Sequence, residues 1–290
     1  MTNDVRPQLS ERVTRLVDDV GRLLAEALPD PASRLGVAYS GGVDSATLVA
    51  AAAEALGADR VLAILGVSAS LAARERRLAH RTAERIGVRV LEVATHEQDD
   101  PHYLANGVDR CYYCKSELFT RIDDDLADQL GLAAIAYGEN ASDALRPDRP
   151  GSRAATEHRV LRPLAVAGAS KDDVRAMARA LGVDVADKPA APCLASRIPH
   201  GEPVTLEKLR AIDLAEDAVL AAGFSDCRVR HHGEVARIEI PADELGRILD
   251  GGVRARVLDG VRGAGFRFVT IDLAGIQSGA FTLPLLEVRA

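Results

Sequence analysis

Two groups of residues in this 290-residue chain have the types and spacing to do chemistry. One is Ser40-Gly41-Gly42-Val43-Asp44-Ser45, which follows the apolar run LGVAYS and precedes a helical pattern. Glycines at such a junction let the backbone approach an anion, and the helix N-terminus supplies free N–H groups and partial positive charge. The Ser40 and Ser45 hydroxyls can donate to phosphate oxygens. The hexapeptide lacks the Lys of G-x-x-x-x-G-K-[ST], so it is not a Walker-type γ-phosphate site, nor is it the G-x-G-x-x-G of dinucleotide folds. A Gly pair alone can mark no more than a tight turn. Two glycines, two serines and an aspartate at the first strand–helix junction argue for an anion site.

The other group is the cysteines. Cys111 and Cys114 form a C-x-x-C unit in DRCYYCKSELF, Cys193 lies far along the chain in PCLASR, and Cys227 stands alone in a strand-like run. A C-x-x-C can be a redox pair, half a zinc site or part of an iron–sulfur site. Redox chemistry predicts a thioredoxin-like βαβ unit. Structural zinc wants four ligands, which His102 or His200 could complete. Three cysteines with an open fourth corner suit a [4Fe–4S] cluster whose unique iron can hold an exogenous sulfide. Spacing leaves zinc and iron–sulfur open, with buried structural thiols a third reading. Cys227 reads as a small, half-buried residue.

These residues need a scaffold. Apolar positions at Val13, Leu16, Val17, Val20, Leu23, Leu24 and Leu28 describe one helical face, capped by Ser10 and ended by Pro29 and Pro31. Strands are expected at 35–40, 61–67, 88–94 and 132–138, and helices at about 44–56, 71–86 and 115–130. Short apolar runs alternating with helices predict an α/β fold with a doubly wound parallel sheet. Ligands on such sheets bind at the carboxyl ends of strands, where Ser40, Cys111 and Gly138 fall. Residues 141–157 read as a polar loop with Arg146, Arg149 and Arg153, and 170–181 as a helix capped by Ser170. A Pro-rich connector, KPAAPCLASRIPHGEP, leads to a helix at 205–222, the runs CRVRHH and VARIEI, further helix and the strand FRFVTIDL. That order predicts a small C-terminal α+β domain, dividing the chain into 1–195 and 196–290.

Composition narrows the class. With 36 basic and 43 acidic residues the net charge is −7, and 47% hydrophobic with 27% charged residues is ordinary globular usage. The acidic balance argues against a general nucleic-acid surface. No apolar run approaches the ~20 residues that span a bilayer. The polar N-terminus does not read as a secretion signal, and four cysteines fall far below disulfide-scaffold density. The expectation is a soluble cytoplasmic protein with no membrane or nucleic-acid partner.

SGGVDS resembles the loop of the PP-loop ATP pyrophosphatases, which cleave ATP between the α and β phosphates on an adenine-nucleotide α-hydrolase-like sheet. That resemblance implies pyrophosphate binding by Ser40, Gly41, Gly42, Asp44 and Ser45, with Asp44 near Mg²⁺. RCYYCKSELF, RPGSRAA, DKPAAPCLASRIPHG, RVRHHGEVARIEI and FVTIDLAGIQSG resemble, in this order, segments of the LarE family; with the loop they run from about residue 36 to residue 279. LarE proteins are ATP-dependent sulfur transferases of nickel-pincer cofactor biosynthesis. They adenylate the carboxylates of pyridinium-3,5-biscarboxylic acid mononucleotide and convert them to thiocarboxylates. One form of the family sacrifices the single cysteine that matches Cys193, leaving dehydroalanine. The other holds a [4Fe–4S] cluster on three cysteines, here Cys111, Cys114 and Cys193, and relays sulfide from an external source. The C-x-x-C favours the cluster type. Ile276 and Gln277 stand where the family has an aromatic-Arg pair, and the family's habit of assembly implies a homo-oligomer.

Adenylation crowds negative charges, so cations should surround the site. Candidates are Arg153, Lys188, Arg197, Arg228 and Arg230. The last two project to one face of a strand, and Arg forks suit carboxylates and phosphates. With Arg197 they are expected to hold the mononucleotide substrate; the competing reading is a solvated strand face. Lys115, Arg110 and Arg197 can surround the Cys193 thiolate with positive charge. Glu216 and Glu239 are candidates for a metal pair, although isolated glutamates are usually surface or ion-pair residues. His231 and His232 are not, because adjacent strand residues face opposite ways. Asn140 and Asp143 either line the cleft or cap the following loop. Among rivals, an ATP-dependent amide ligase has no use for three cysteines, and tRNA thiolation wants a basic surface. A non-catalytic nucleotide module has no need to keep the loop's hydroxyls and carboxylate.

Overall fold

The computed structural model describes residues 10–144 and 150–277. In chain order its first elements are α1 (Glu11–Glu26), β1 (Arg34–Ala38), α2 (Val43–Leu56), β2 (Val61–Val67), α3 (Ala73–Ile86) and β3 (Arg89–Ala94). Next come α4 (Pro101–Leu104), α5 (Arg110–Asp125), α6 (Ala127–Leu130), β4 (Leu132–Tyr137), α7 (Ala141–Ala144), α8 (Pro150–Glu157), α9 (Pro163–Val166) and α10 (Lys171–Ala180). The last are α11 (Leu206–Ala221), β5 (Arg228–His232), β6 (Val235–Glu239), α12 (Gly251–Gly263) and β7 (Phe268–Ile271). Arg146 and Arg149 of the polar loop, and Ser278 and Gly279 at the end of the last matching segment, lie outside the described residues.

The chain forms two compact units. One comprises the chain up to Ser68 with Glu75–His96 and Cys111–Ala191; the other gathers Ala69–Arg74, Glu97–Arg110 and the chain from Pro192. Composition changes along a sequence reveal a linker but not the two short excursions that join the second unit.

In the first unit four strands form a wholly parallel sheet in the order β3-β2-β1-β4. β1 and β2 are the interior strands, and their runs LGV and VLAIL are buried, as continuous apolar strings in a parallel sheet should be. The chain moves outward from β1 through β2 to β3, then returns to the other side of β1 as β4. Strand order therefore reverses at β1/β4, the crevice where doubly wound sheets take ligands. α1 buries Val13, Leu16, Val20 and Leu24, and its Ser10 cap accepts from the Val13 N–H at 3.3 Å. A Cβ on Gly21 would stand 2.8 Å from Ala55 Cβ, so α1 lies close against the alanine-rich α2. α10 opens with a capping box, Ser170 with Asp173, as its sequence signals.

Two local expectations are corrected. The helix placed at 115–130 starts at Arg110, so the C-x-x-C lies inside its first turns, and it stops at Asp125 before the short α6. Gly131, left-handed at φ 62°, closes α6. The stretch 141–157 is not all loop, since it contains α7 and α8.

The second unit has a three-stranded sheet in the order β5-β6-β7, antiparallel between β5 and β6 and parallel between β6 and β7. α11 and α12 pack on it, burying Val219, Val229, Ile238, Val257 and Val261. The strand–strand–helix–strand order expected from sequence is present.

Candidate active site

The glycine loop sits where β1 hands over to α2. Gly41 adopts φ 71°, open to glycine at no steric cost, and a Cβ there would meet Ala79 Cβ at 2.7 Å. Gly42 is the N-cap of α2 and, as a glycine, brings no side chain to bond the first N–H groups of the helix. Ser45 has a structural task within the loop. Its buried hydroxyl donates to the Gly42 carbonyl at 3.1 Å and accepts from the Ser40 N–H at 3.2 Å, stapling the loop. The Ser40 hydroxyl lies 3.2 Å from it on an exposed residue, and it is the freer of the two to meet a ligand.

Asp44, in the first turn of α2, accepts from Asn140 Nδ2 at 3.1 Å and from Lys171 Nζ at 2.5 Å. Asn140 also donates to Asp143 at 2.8 Å. Lys171 escaped the sequence reading. A signal was present: a lysine in the first turn of a helix opposes the macrodipole, so its place after Ser170 called for another reason. Gly138, just past β4, is packed on the loop. A Cβ there would stand 2.7 Å from both the Asp44 carbonyl carbon and the Ser45 nitrogen. The next residue, Glu139, is buried, accepts from Ser152 and pairs with Arg162 at 3.5 Å, which ties α8 to the end of β4.

Cys111 and Cys114 lie one turn apart on α5, on the same helical face, with Cys111 exposed and Cys114 partly so. Between them, Tyr112 carries the Arg153 guanidinium over its ring at 3.8 Å, and Arg153 pairs with Glu157 at 3.7 Å. The neighbouring Lys115 ammonium stands 4.0 Å from the Tyr137 ring centre, in space that Gly151 leaves open. Lys188 pairs with Glu75.

Cys193 belongs to the second unit. It is exposed and caps a single 3-10 turn, Leu194–Arg197. Arg197 is 1% exposed, and its guanidinium donates to the carbonyls of Pro192 at 2.6 Å and Cys193 at 3.3 Å, to Ser196 Oγ at 2.8 Å, and through Nε to Glu216 at 2.8 Å. Arg230 is buried too, with two bonds to Glu239 at 2.9 and 2.7 Å and others to the carbonyls of Ser196 and Gln277, both at 3.0 Å. Arg228 donates to Asp226 at 2.6 Å and to the Cys227 carbonyl at 2.7 Å. Of the arginines expected to grip substrate, Arg197 and Arg230 thus donate to the backbone around Cys193, and Arg228 to that of its own strand.

Glu216 and Glu239 each serve arginines. Arg74 joins Arg197 on Glu216, and Arg237 joins Arg230 on Glu239 at 3.2 Å. Burial raises the Glu216 carboxyl, but the Arg197 and Arg74 charges and hydrogen bonds outweigh it and hold the group below its ordinary range. Among the described residues, no three His, Cys, Asp or Glu side chains are gathered to hold a metal ion. Cys227 is fully buried, and burial pushes its thiol well above the ordinary range, which makes it unreactive. No described helix is long and apolar enough to cross a membrane.

A parallel sheet with an uncapped glycine loop at its switch point, joined to a small α+β unit, defines an α/β protein of the PP-loop type. No protein-family model matches the chain. It is 41% identical over 243 residues to an uncharacterised protein of the cyanobacterium Synechocystis, covering 84% of this chain and 90% of the other. It is 35% identical over 266 residues to the pyridinium-3,5-bisthiocarboxylic acid mononucleotide synthase of Lactiplantibacillus plantarum, covering 92% of this chain and 95% of that enzyme. A third relative, an uncharacterised protein of Methanocaldococcus jannaschii, is 28% identical over 170 residues, 59% of this chain and 65% of its own. The chain belongs to the LarE family.

Proposed function

We propose that this protein is an ATP-dependent sulfur transferase that converts the carboxylates of pyridinium-3,5-biscarboxylic acid mononucleotide to thiocarboxylates, the bisthiocarboxylic product that names its Lactiplantibacillus relative. The observation that carries this reading is the uncapped glycine loop at the β1/β4 switch point in a chain of that family.

Each step asks something definite of the chain. A carboxylate oxygen of the substrate attacks the α-phosphorus of ATP and pyrophosphate departs, giving an acyl-adenylate. Gly41, Gly42 and the first N–H groups of α2 receive the pyrophosphate, with the Ser40 hydroxyl as a further donor. Ser45 keeps the loop in shape. Lys171 places a cation beside Asp44, and Asp44 is the carboxylate that would hold Mg²⁺ on the nucleotide. Sulfur then attacks the activated carbonyl and AMP leaves. Arg153 offers an exposed guanidinium on α8 for the substrate's anionic groups.

Cys111 and Cys114 of the first unit and Cys193 of the second are the residues that would hold a [4Fe–4S] cluster, and each thiol is exposed or half-exposed. When bound, such a cluster supplies an iron that can carry an additional sulfide. Exposure of Cys193 serves the other source equally, in which its own sulfur is given up. Iron and acid-labile sulfide after anaerobic purification mark the first source, and loss of the elements of hydrogen sulfide from the chain at Cys193 on turnover marks the second.

The step common to both is tested by nucleotide analysis. With ATP, the mononucleotide dicarboxylate and sulfide, AMP and pyrophosphate should form together and only with the dicarboxylate present. ADP and phosphate as products would overturn the reading.

A further inference from the structure

Cys193 rides on one turn of 3-10 helix, too short to fix its own position, so its geometry depends on what holds the turn. One of those supports is Asn106, a residue that no expectation singled out, together with Arg110, which was expected near Cys193 only as a source of positive charge. Asn106 follows α4 in the left-handed conformation, φ 54°, and is fully buried. Its amide nitrogen donates to the carbonyls of Ile198 at 3.3 Å, Pro199 at 2.8 Å and Glu202 at 3.0 Å. Its backbone carbonyl accepts from the Gly201 N–H at 3.2 Å and lies 3.1 Å from His200 Nδ1. Its side-chain oxygen accepts from Arg110 Nη1. The same Arg110 nitrogen donates to the Ala195 carbonyl at 3.0 Å, two residues past Cys193. Two flanking backbone bonds complete the hold, Leu194 N–H to the Ser70 carbonyl at 2.9 Å and Val204 N–H to the Leu104 carbonyl at 3.0 Å.

We infer that Asn106 and Arg110 are positioning residues for Cys193, a buried clamp that fixes the turn and the strand of chain behind it while the thiol stays exposed. Neither needs to touch substrate. Asparagine suits the place for two reasons: it tolerates the left-handed backbone, and its amide presents both donors and an acceptor. The inference rests on the sulfur-transfer reading for its catalytic consequence, but the clamp itself can be read without it.

The test uses the full chain with Asn106→Gly, which keeps the left-handed backbone and removes only the carboxamide. Arg110→Lys is the second variant, keeping charge but not the reach to both oxygens. Hydrogen exchange should accelerate in peptides covering 193–204 and stay unchanged in α11. In turnover, kcat should fall on the order of ten- to a hundredfold, with KM for ATP unchanged. Unchanged exchange at 193–204 in both variants would overturn the clamp, and faster exchange throughout α11 and β5 would reduce it to general structural support. Local loosening with full kcat would overturn its role in the reaction. If the wild type makes no thiocarboxylate, the proposed function falls, and the exchange measurement still decides the clamp.

Discussion

Arg197 and Glu216 form an ion pair withdrawn from solvent, Nε to Oε1 at 2.8 Å, and the same guanidinium donates to the carbonyls of Pro192 and Cys193. The pair joins α11 to the exposed cysteine, and the other Glu216 oxygen receives Arg74. The Val229 N–H reaches the carboxylate as well, at 3.0 Å, which brings β5 into the same network. Such a network is expensive to break, because removing one member leaves buried charge unpaired.

Glu216→Gln should therefore destabilise the protein by about 3–5 kcal/mol at neutral pH. The acid dependence should change with it. The Glu216 carboxyl is held below its ordinary 4.5 in the folded protein, so the unfolded chain takes up the proton first as pH falls. Its stabilisation is present above about pH 4.5 and lost below that. Urea unfolding between pH 7 and 3 should show a flatter acid limb in the variant than in the wild type.

Lys171→Ala removes the cation beside Asp44 and leaves that carboxylate facing the incoming phosphates. We expect kcat/KM for ATP to fall on the order of ten- to a hundredfold. The melting temperature should barely move, since a partly exposed ion pair contributes only about 0–1 kcal/mol. Steady-state kinetics with a melting curve on the same preparation checks both halves.

Gly138→Ala tests the packing of β4 on the glycine loop. The added methyl would meet backbone of Asp44 and Ser45, which cannot swing aside as a flexible side chain could. A cost of about 1–3 kcal/mol and loss of nucleotide binding are expected. Gly246→Ala, where nothing lies within 4 Å of the new carbon, should bind nucleotide as the wild type does. Isothermal titration with a non-hydrolysable ATP analogue gives the comparison.

Brief alkylation of the metal-free, reduced protein should label Cys111 and Cys193 and spare Cys227, whose thiol is buried and held neutral. Peptide mass spectrometry reads the pattern. Labelling of Cys227 at a comparable rate would contradict the packing of α11 on β5.

The sequence carried the parallel sheet well, because buried parallel strands are short apolar runs that cannot be hidden: VLAILGV is β2 residue for residue. Caps were equally visible, with Ser10 and Ser170 opening α1 and α10. Helix starts without a cap were not, so α5 begins five residues before Lys115. At the site, SGGVDS declared its own position because glycines at a strand–helix junction have few other uses. The ion pairs that Arg197 and Arg230 make with Glu216 and Glu239 were not legible. Residue type does not say whether a charge faces a ligand or a buried counter-charge, and that depends on partners 9 to 19 residues distant. Asn106, with partners more than 90 residues away, gave no local sign beyond an Asn-Gly pair.

The most direct measurement is mass spectrometry of the mononucleotide after anaerobic incubation with ATP, sulfide and either wild-type protein or Cys193→Ala. The account predicts replacement of carboxylate oxygen by sulfur, one AMP formed for each sulfur gained, and no thiocarboxylate from the variant. Recovery of the dicarboxylate unchanged with the wild-type protein, or equal thiocarboxylate from Cys193→Ala, would contradict it.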